Sequence, residues 1–222
     1  MTGGKRNIAP MNIARYNFGL ISFRGCLYAV GGWTKDNGTD ISTRTMEKYD
    51  PIKNKWSLLP SMQQGRGIWA GYAVVGDKIC VAGGRDRDCN KLSSVEVFNA
   101  TTEKWMGGIP EMSKKRSGLS CASLNGELYV LGGDKEWLVS CEKYNFTTKK
   151  WTMLSNMEYT KRTPSTFVFE SKIFALGYND VEVYDESKDK WTKCEEMAAN
   201  MPNRSAYRLA AVACVRTDVL KL

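Results

Sequence analysis

Apolar and polar positions along this chain alternate in short runs, as in Gly118-Leu119-Ser120-Cys121-Ala122-Ser123-Leu124, broken by pairs such as Arg24-Gly25, Gly76-Asp77 and Asn125-Gly126. A period of two with turn residues between runs predicts half-buried strands joined as antiparallel hairpins. One order of elements recurs four times. An arginine (Arg15, Arg66, Arg116, Arg162) precedes the alternating strand, and a short turn follows, formed by Glu170-Ser171 in the fourth copy. A second strand ends in glycine (Gly31-Gly32, Gly83-Gly84, Gly132-Gly133, Gly177-Tyr178), and a third begins Glu-x-aromatic. A tryptophan opens the fourth strand, and a methionine (Met62, Met112, Met157, Met197) closes the unit. Each unit reads as a four-stranded meander. Such a sheet needs neighbours on its faces, and radial packing of several gives a β-propeller.

The third and fourth strands carry the sharpest signal. Glu47-Lys48-Tyr49-Asp50 leads to Trp56, Glu96-Val97-Phe98-Asn99 to Trp105, Glu142-Lys143-Tyr144-Asn145 to Trp151, and Glu182-Val183-Tyr184-Asp185 to Trp191. The Glu-to-Trp spacing is nine residues each time. A repeat of roughly 45 residues marks units that bury their apolar faces only against neighbours. Constant elements of this kind point to scaffold: the tryptophans to packing between blades, the glutamates to structure, and the glycines to positive φ and close approach. The glycine pairs lack the following helix that a phosphate loop requires.

With 222 residues and 42% hydrophobic content, the chain can bury a real core. It has no histidine, which removes Ser-His-Asp and Cys-His catalysis and His-ligated metals and argues against an enzyme; no cofactor is implied. Seven cysteines without a C-x-x-C pair sit mostly in apolar runs and read as free thiols of a reducing compartment. Met1 to Ile8 lacks a leader-like apolar segment and no stretch reaches spanning length, so a soluble cytoplasmic protein is expected, with no membrane partner. Four N-x-S/T sequons (Asn37, Asn99, Asn145, Asn203) keep a secreted reading open, although Asn99 and Asn145 occupy a turn position of the motif. The net charge of +8 is dispersed among acids, without a phosphate-tracking stripe, so nucleic acid is not expected as a partner.

Diglycine after an apolar strand, then Glu-x-Tyr-Asp, then Trp with Met six (in the second copy seven) residues on, resembles the kelch repeat over about residues 11 to 215. The resemblance implies an all-β kelch propeller. The expected units are a tail of a preceding blade (1–14), blades at 15–62, 63–112, 113–157 and 158–197, and an extra or closing strand and tail (198–222). Four blades plus an orphan strand suggest a partial or truncated ring, a four-bladed ring being the alternative.

Meanders send alternate turns to opposite ends, so blade-to-blade links and the loops after the glycines share one face. Between the glycine position and the motif Glu those loops hold fourteen, eleven, eight and three residues. A constant scaffold with one varied face reads as a binding surface. The candidate partner-binding residues are therefore Arg15, Arg66, Arg116, Arg162 and Arg204 on the links, and Trp33, Arg85, Trp137 and Tyr178 in the loops. Free arginines there would favour an acidic peptide. Equally, the repeated arginine could be a motif element bonded to blade carbonyls, and the sequence leaves both readings open. Resemblance implies a protein-interaction module like the substrate-recognition propeller of kelch-like ubiquitin-ligase adaptors. Ligase components would then enter only through a parent protein with BTB and BACK domains. Some kelch proteins bind actin, which is the alternative. A sugar-acid-processing propeller enzyme is the less favoured reading.

Overall fold

The computed structural model describes residues 7–133, 139–158, 165–177 and 180–195. The first blade comprises β1 (Gly19–Phe23), β2 (Cys26–Val30), then a small hairpin of β3 (Trp33–Asp36) and β4 (Thr39–Ser42), then β5 (Met46–Asp50) and β6 (Lys55–Leu59). The second comprises β7 (Gly71–Val75), β8 (Lys78–Ala82), β9 (Val95–Asn99) and β10 (Lys104–Met106). The third comprises β11 (Ser120–Leu124), β12 (Glu127–Leu131), β13 (Cys141–Asn145) and β14 (Lys150–Leu154). The fourth comprises β15 (Ser165–Phe169), β16 (Lys172–Leu176), β17 (Val181–Asp185) and β18 (Lys190–Lys193). Every blade is an antiparallel meander, with β3–β4 as a separate two-stranded sheet.

The register explains the nine-residue spacing. Tyr49 pairs with Trp56, Phe98 with Trp105, Tyr144 with Trp151 and Tyr184 with Trp191 directly across the third and fourth strands. Their ring centroids lie 5.2, 5.2, 5.2 and 5.0 Å apart. The turns between them are built by the motif Asp or Asn. Asp50 Oδ1 accepts from the Ile52 and Lys53 amides, Asn99 Oδ1 from Thr101 and Thr102, and Asn145 Oδ1 from Thr147 and Thr148.

Alternate residues of one strand serve opposite interfaces, as the pleat dictates. On β8, Ile79 and Val81 join Ile21, Tyr28, Val30 and Met46 of the first blade. Cys80 and Ala82 instead join Leu128, Val130 and Tyr144 of the third. Tyr129 and Leu131 on β12 then pack with Ile173, Ala175 and Tyr184 of the fourth. Each buried Ile, Val, Leu or Met among these stabilises by about 1.5–3 kcal/mol. The first strands are innermost: β1 packs on β7, β7 on β11 and β11 on β15. No comparable contact returns from β15 to β1, so the described blades form an open arc. The extra strand expected within 198–222 lies outside the described residues.

Each blade is also tied to the link that precedes it. Indole nitrogens of Trp56, Trp105, Trp151 and Trp191 donate to the carbonyls of Ala9, Pro60, Pro110 and Ser155 at 2.9, 2.7, 2.9 and 3.1 Å. Ala9 and Met11 cover Tyr49 and Trp56, so the segment before β1 makes the contacts that links make elsewhere. No helix among the described residues is long and apolar enough to cross a membrane.

Candidate functional site

The links and the loops after the glycines do share a face. Tyr16 and Trp33 exchange backbone hydrogen bonds at 3.0 and 2.9 Å, and Gly84 N donates to Arg116 O at 2.9 Å. Bridges also join Arg85 to Lys91 and Leu92 to Arg116.

On this face the structure places the three described link arginines inward. Arg66 and Arg116 are fully buried and Arg15 is 8% exposed. Arg116 Nη1 donates to Gly132 O and Ser140 O, both at 2.8 Å, and Nη2 to Ser140 Oγ at 3.0 Å. Its Nε reaches Glu142 at 3.1 Å, and Nη2 lies 3.0 Å from the same carboxylate. Arg66 repeats the pattern on Gly83 O, Ser94 O, Ser94 Oγ and Glu96. Arg15 does so on Gly31 O, Thr45 O, Thr45 Oγ1 and Glu47. Each arginine thus bonds carbonyls of its own blade, and its charge is neutralised by the motif Glu. Of the two readings left open for Arg15, Arg66 and Arg116, this geometry favours the motif element over a charge presented to a partner. The guanidinium groups are desolvated and their Nη atoms are engaged within the blade, although the buried Nε atoms of Arg15 and Arg66 have no hydrogen-bond partner.

The motif glutamates complete a clamp on the link. Glu47 accepts from the Asn12 and Ile13 amides at 2.7 and 3.1 Å, Glu96 from Gln63 and Gln64 at 2.6 and 3.1 Å, and Glu142 from Ser113 N at 2.9 Å. Burial pushes the Glu47 carboxyl up, but Arg15 and the Asn12 and Ile13 donors outweigh it and hold it below the usual range. Burial lowers Arg66 and Glu96 opposes that shift. An arginine stays charged in either case.

The glycine pairs serve the same junction. Gly31, Gly83 and Gly132 have φ of 62°, 58° and 62°. A Cβ on Gly83 would sit 2.5 Å from Arg116 O, the carbonyl of the following link. Only glycine fits so close a crossing.

What remains accessible lies above this frame. Trp33 is half-buried and lies on the second link, where a Cβ on Gly67 would come within 2.7 Å of its indole. Arg85 is half-buried; its Nη1 donates to Cys89 O at 2.6 Å and its guanidinium stands 5.9 Å from the Trp69 ring centroid. Asp86 orders the loop that follows by accepting from the amides of Asp88 and Asn90 at 2.9 and 2.8 Å. A groove of about 400 Å³ beside it is lined by residues that include Gln64, Asp86, Lys91, Ser94, Glu111 and Lys115, so both signs of charge meet there. Arg162, Trp137, Tyr178 and Arg204 lie outside the described residues.

Two features were not anticipated from sequence. The Asn37-Gly38 turn, with φ of 48° and 82°, builds the first loop into the β3–β4 hairpin, a signal present in that dipeptide. Thr45, Ser94 and Ser140, each two residues before the motif Glu, hold the arginines. Trp69, whose place near Arg66 in chain order allows either an aromatic contact or strand-face packing, is 47% exposed and stands beside Arg85. Among the described residues no group of three or more His, Cys, Asp or Glu could hold a metal ion.

The profile of the KLHDC2/KLHL20/DRC7 Kelch-repeats domain matches residues 17–217. The chain is similar to Kelch-like protein 25 of Xenopus tropicalis, at 26% identity over 198 residues, covering 82% of this chain and 33% of that protein. It is also similar to Kelch-like protein 26 of Danio rerio, at 29% identity over 202 residues, covering 84% and 32%. The chain therefore spans about a third of the length of these relatives. A solved structure of YjhT superposes with a TM-score of 0.70 at 15% identity, over 81% of this chain and 70% of that one, a likeness of fold.

Proposed function

Since the chain belongs to the kelch-repeat family, we propose that it is a non-catalytic protein-interaction module whose loop face grips a protein or peptide partner. The observation that carries this is the division between frame and face. Each described blade link is locked by its own Arg–Glu pair, while the loops above differ in length and one has grown into a hairpin of its own. Trp33 and Arg85, with Trp69, are the proposed contacts, since partly exposed aromatic and Arg side chains on a rigid support are typical interface anchors.

This reading suits the substrate-recognition propeller of a ubiquitin-ligase adaptor, with ligase components reached through BTB and BACK domains of a parent protein. The described cysteines Cys26, Cys80, Cys89, Cys121, Cys141 and Cys194 are all free thiols, which supports a cytoplasmic setting. The net charge of +8 supports a second reading, in which the partner is an acidic filament such as F-actin.

The test replaces residues 34–41, the body of the β3–β4 hairpin, by a short Gly-Ser bridge and compares affinity capture of cellular partners with that of the unaltered chain. Loss of the captured partner is expected, while Lys53→Glu on an opposite-face turn leaves capture intact. Capture that survives the loop replacement and fails with Lys53→Glu overturns the proposal. Co-sedimentation of the chain with purified F-actin decides for the second reading.

A further inference from the structure

Resting on the loop-face reading, we infer that Trp69 and Arg85 form one anchor that takes an apolar or aromatic side chain with a carboxylate beside it. The inference starts from a difference in link length. Phe18, Ala70 and Leu119 are equivalent: each immediately precedes or adjoins the first strand and lies against the second glycine of its blade. A Cβ on Gly32, Gly84 or Gly133 would meet their Cβ atoms at 2.7, 2.9 and 3.2 Å. Phe18 and Leu119 follow their link arginine by three residues, whereas Ala70 follows Arg66 by four. The second link therefore carries one extra residue.

The residue just before each equivalent position adopts a left-handed backbone. In the first and third blades it is Asn17 (φ 52°) and Gly118 (φ 71°), the residue types that tolerate this region. In the second it is Trp69, with φ 59°. A bulky aromatic there is an outlier, and such strain persists where surrounding structure fixes it and clusters at functional positions. Here Trp69 O accepts the Gly118 amide of the next link at 2.7 Å, which pins the conformation.

The strained indole does not serve the core. It belongs to none of the buried clusters between blades and is 47% exposed. Its partner on the chain is the Arg85 guanidinium. Arg85 gives Nη1 to Cys89 O, and its Nε is buried without a hydrogen-bond partner. Among the described residues no carboxylate forms a salt bridge with Arg85. Its charge is thus held over an aromatic face and is not neutralised by a salt bridge among the described residues, unlike that of Arg15, Arg66 and Arg116. An apolar side chain laid on the indole and a carboxylate accepting from Arg85 Nη2 would satisfy both. The neighbouring groove, which begins at Asp86, would carry the flanking backbone.

The experiment pans the whole chain against a phage-displayed random-peptide library, then measures synthetic binders by fluorescence anisotropy. The enriched peptides should carry Asp or Glu next to Phe, Leu or Trp. Trp69→Gly and Trp69→Asn, which install the residues of the third and first blades, should weaken binding about tenfold or more with the thermal midpoint retained. Arg85→Gln should remove the preference for the acid over its amide analogue. Peptides that need the β3–β4 hairpin but bind the Trp69 and Arg85 variants unchanged overturn this anchor and leave the loop-face reading standing. Peptides that bind without any loop-face dependence, or a library that yields none, overturn both.

Discussion

Arg116→Ala removes the most heavily engaged cation of the frame. The guanidinium reaches Gly132 O, Ser140 O, Ser140 Oγ and Glu142, all within 2.8 to 3.1 Å, and nothing of the side chain is exposed. Alanine would leave Glu142 fully buried with only Ser113 N and Oγ as donors, at 2.9 and 3.1 Å. Breaking a buried pair by deleting one partner costs about 3–5 kcal/mol, against a total stability of about 5–15 kcal/mol for a folded domain. Arg116→Met combined with Glu142→Leu removes both charges while keeping volume, and should cost far less than Arg116→Ala alone. Urea unfolding followed by tryptophan fluorescence reads both, since Trp151 sits on the same blade as Glu142. A cost for Arg116→Ala below about 1 kcal/mol, the range of exposed ion pairs, would refute the inward reading. So would an Arg116→Met/Glu142→Leu variant less stable than Arg116→Ala.

Further outcomes follow from the same geometry. Gly83→Ala combines φ of 58° with a Cβ 2.5 Å from Arg116 O and should cost about 2–4 kcal/mol, whereas Gly25→Ala, at φ 73° in open space, should cost about 1 kcal/mol; denaturant midpoints compare them. Glu47 has a lowered pKa in the folded chain, so its contribution is present above the unfolded carboxylate range, near about 4.3, and is lost as pH falls through the folded value. Glu47→Gln should therefore be less stable at neutral pH, with a shallower loss of stability on acidification. Burial pushes the Cys121 and Cys141 thiols up to about 12 and raises Cys80 too, while Cys89 is exposed. Among these four, a thiol reagent at pH 8 should label Cys89 first and the other three only on unfolding, as peptide mass mapping would show.

Legibility in the sequence followed the range of the interaction. The Glu-x-aromatic-to-Trp spacing is a local constraint, so the third and fourth strands were readable directly, while the pairing of Tyr49 with Trp56 and of its three counterparts emerged from the register. The glycine pairs were readable for the same reason, as positive-φ strand ends. Arg15 and Glu47 are 32 residues apart, Arg66 and Glu96 30, and Arg116 and Glu142 26. Nothing in either local stretch says that the two charges meet. Their one-to-one recurrence, with Thr45, Ser94 or Ser140 two residues before each Glu, was the available hint. Asn37-Gly38 announced the β3–β4 hairpin in plain form but also fitted a sequon. Trp69 was the hardest to read, because its extra position becomes countable only once Phe18, Ala70 and Leu119 are superposed by their contacts with the glycines.

Hydrogen–deuterium exchange on the whole chain, with and without a bound protein or peptide partner, tests most directly whether the frame is constant and the loop face does the binding. New protection is expected over 33–43, 67–70 and 85–92, with the turns at 50–54 and 100–103 unchanged. Protection confined to those opposite-face turns, or spread over the outer strands β6, β10 and β14, would contradict it.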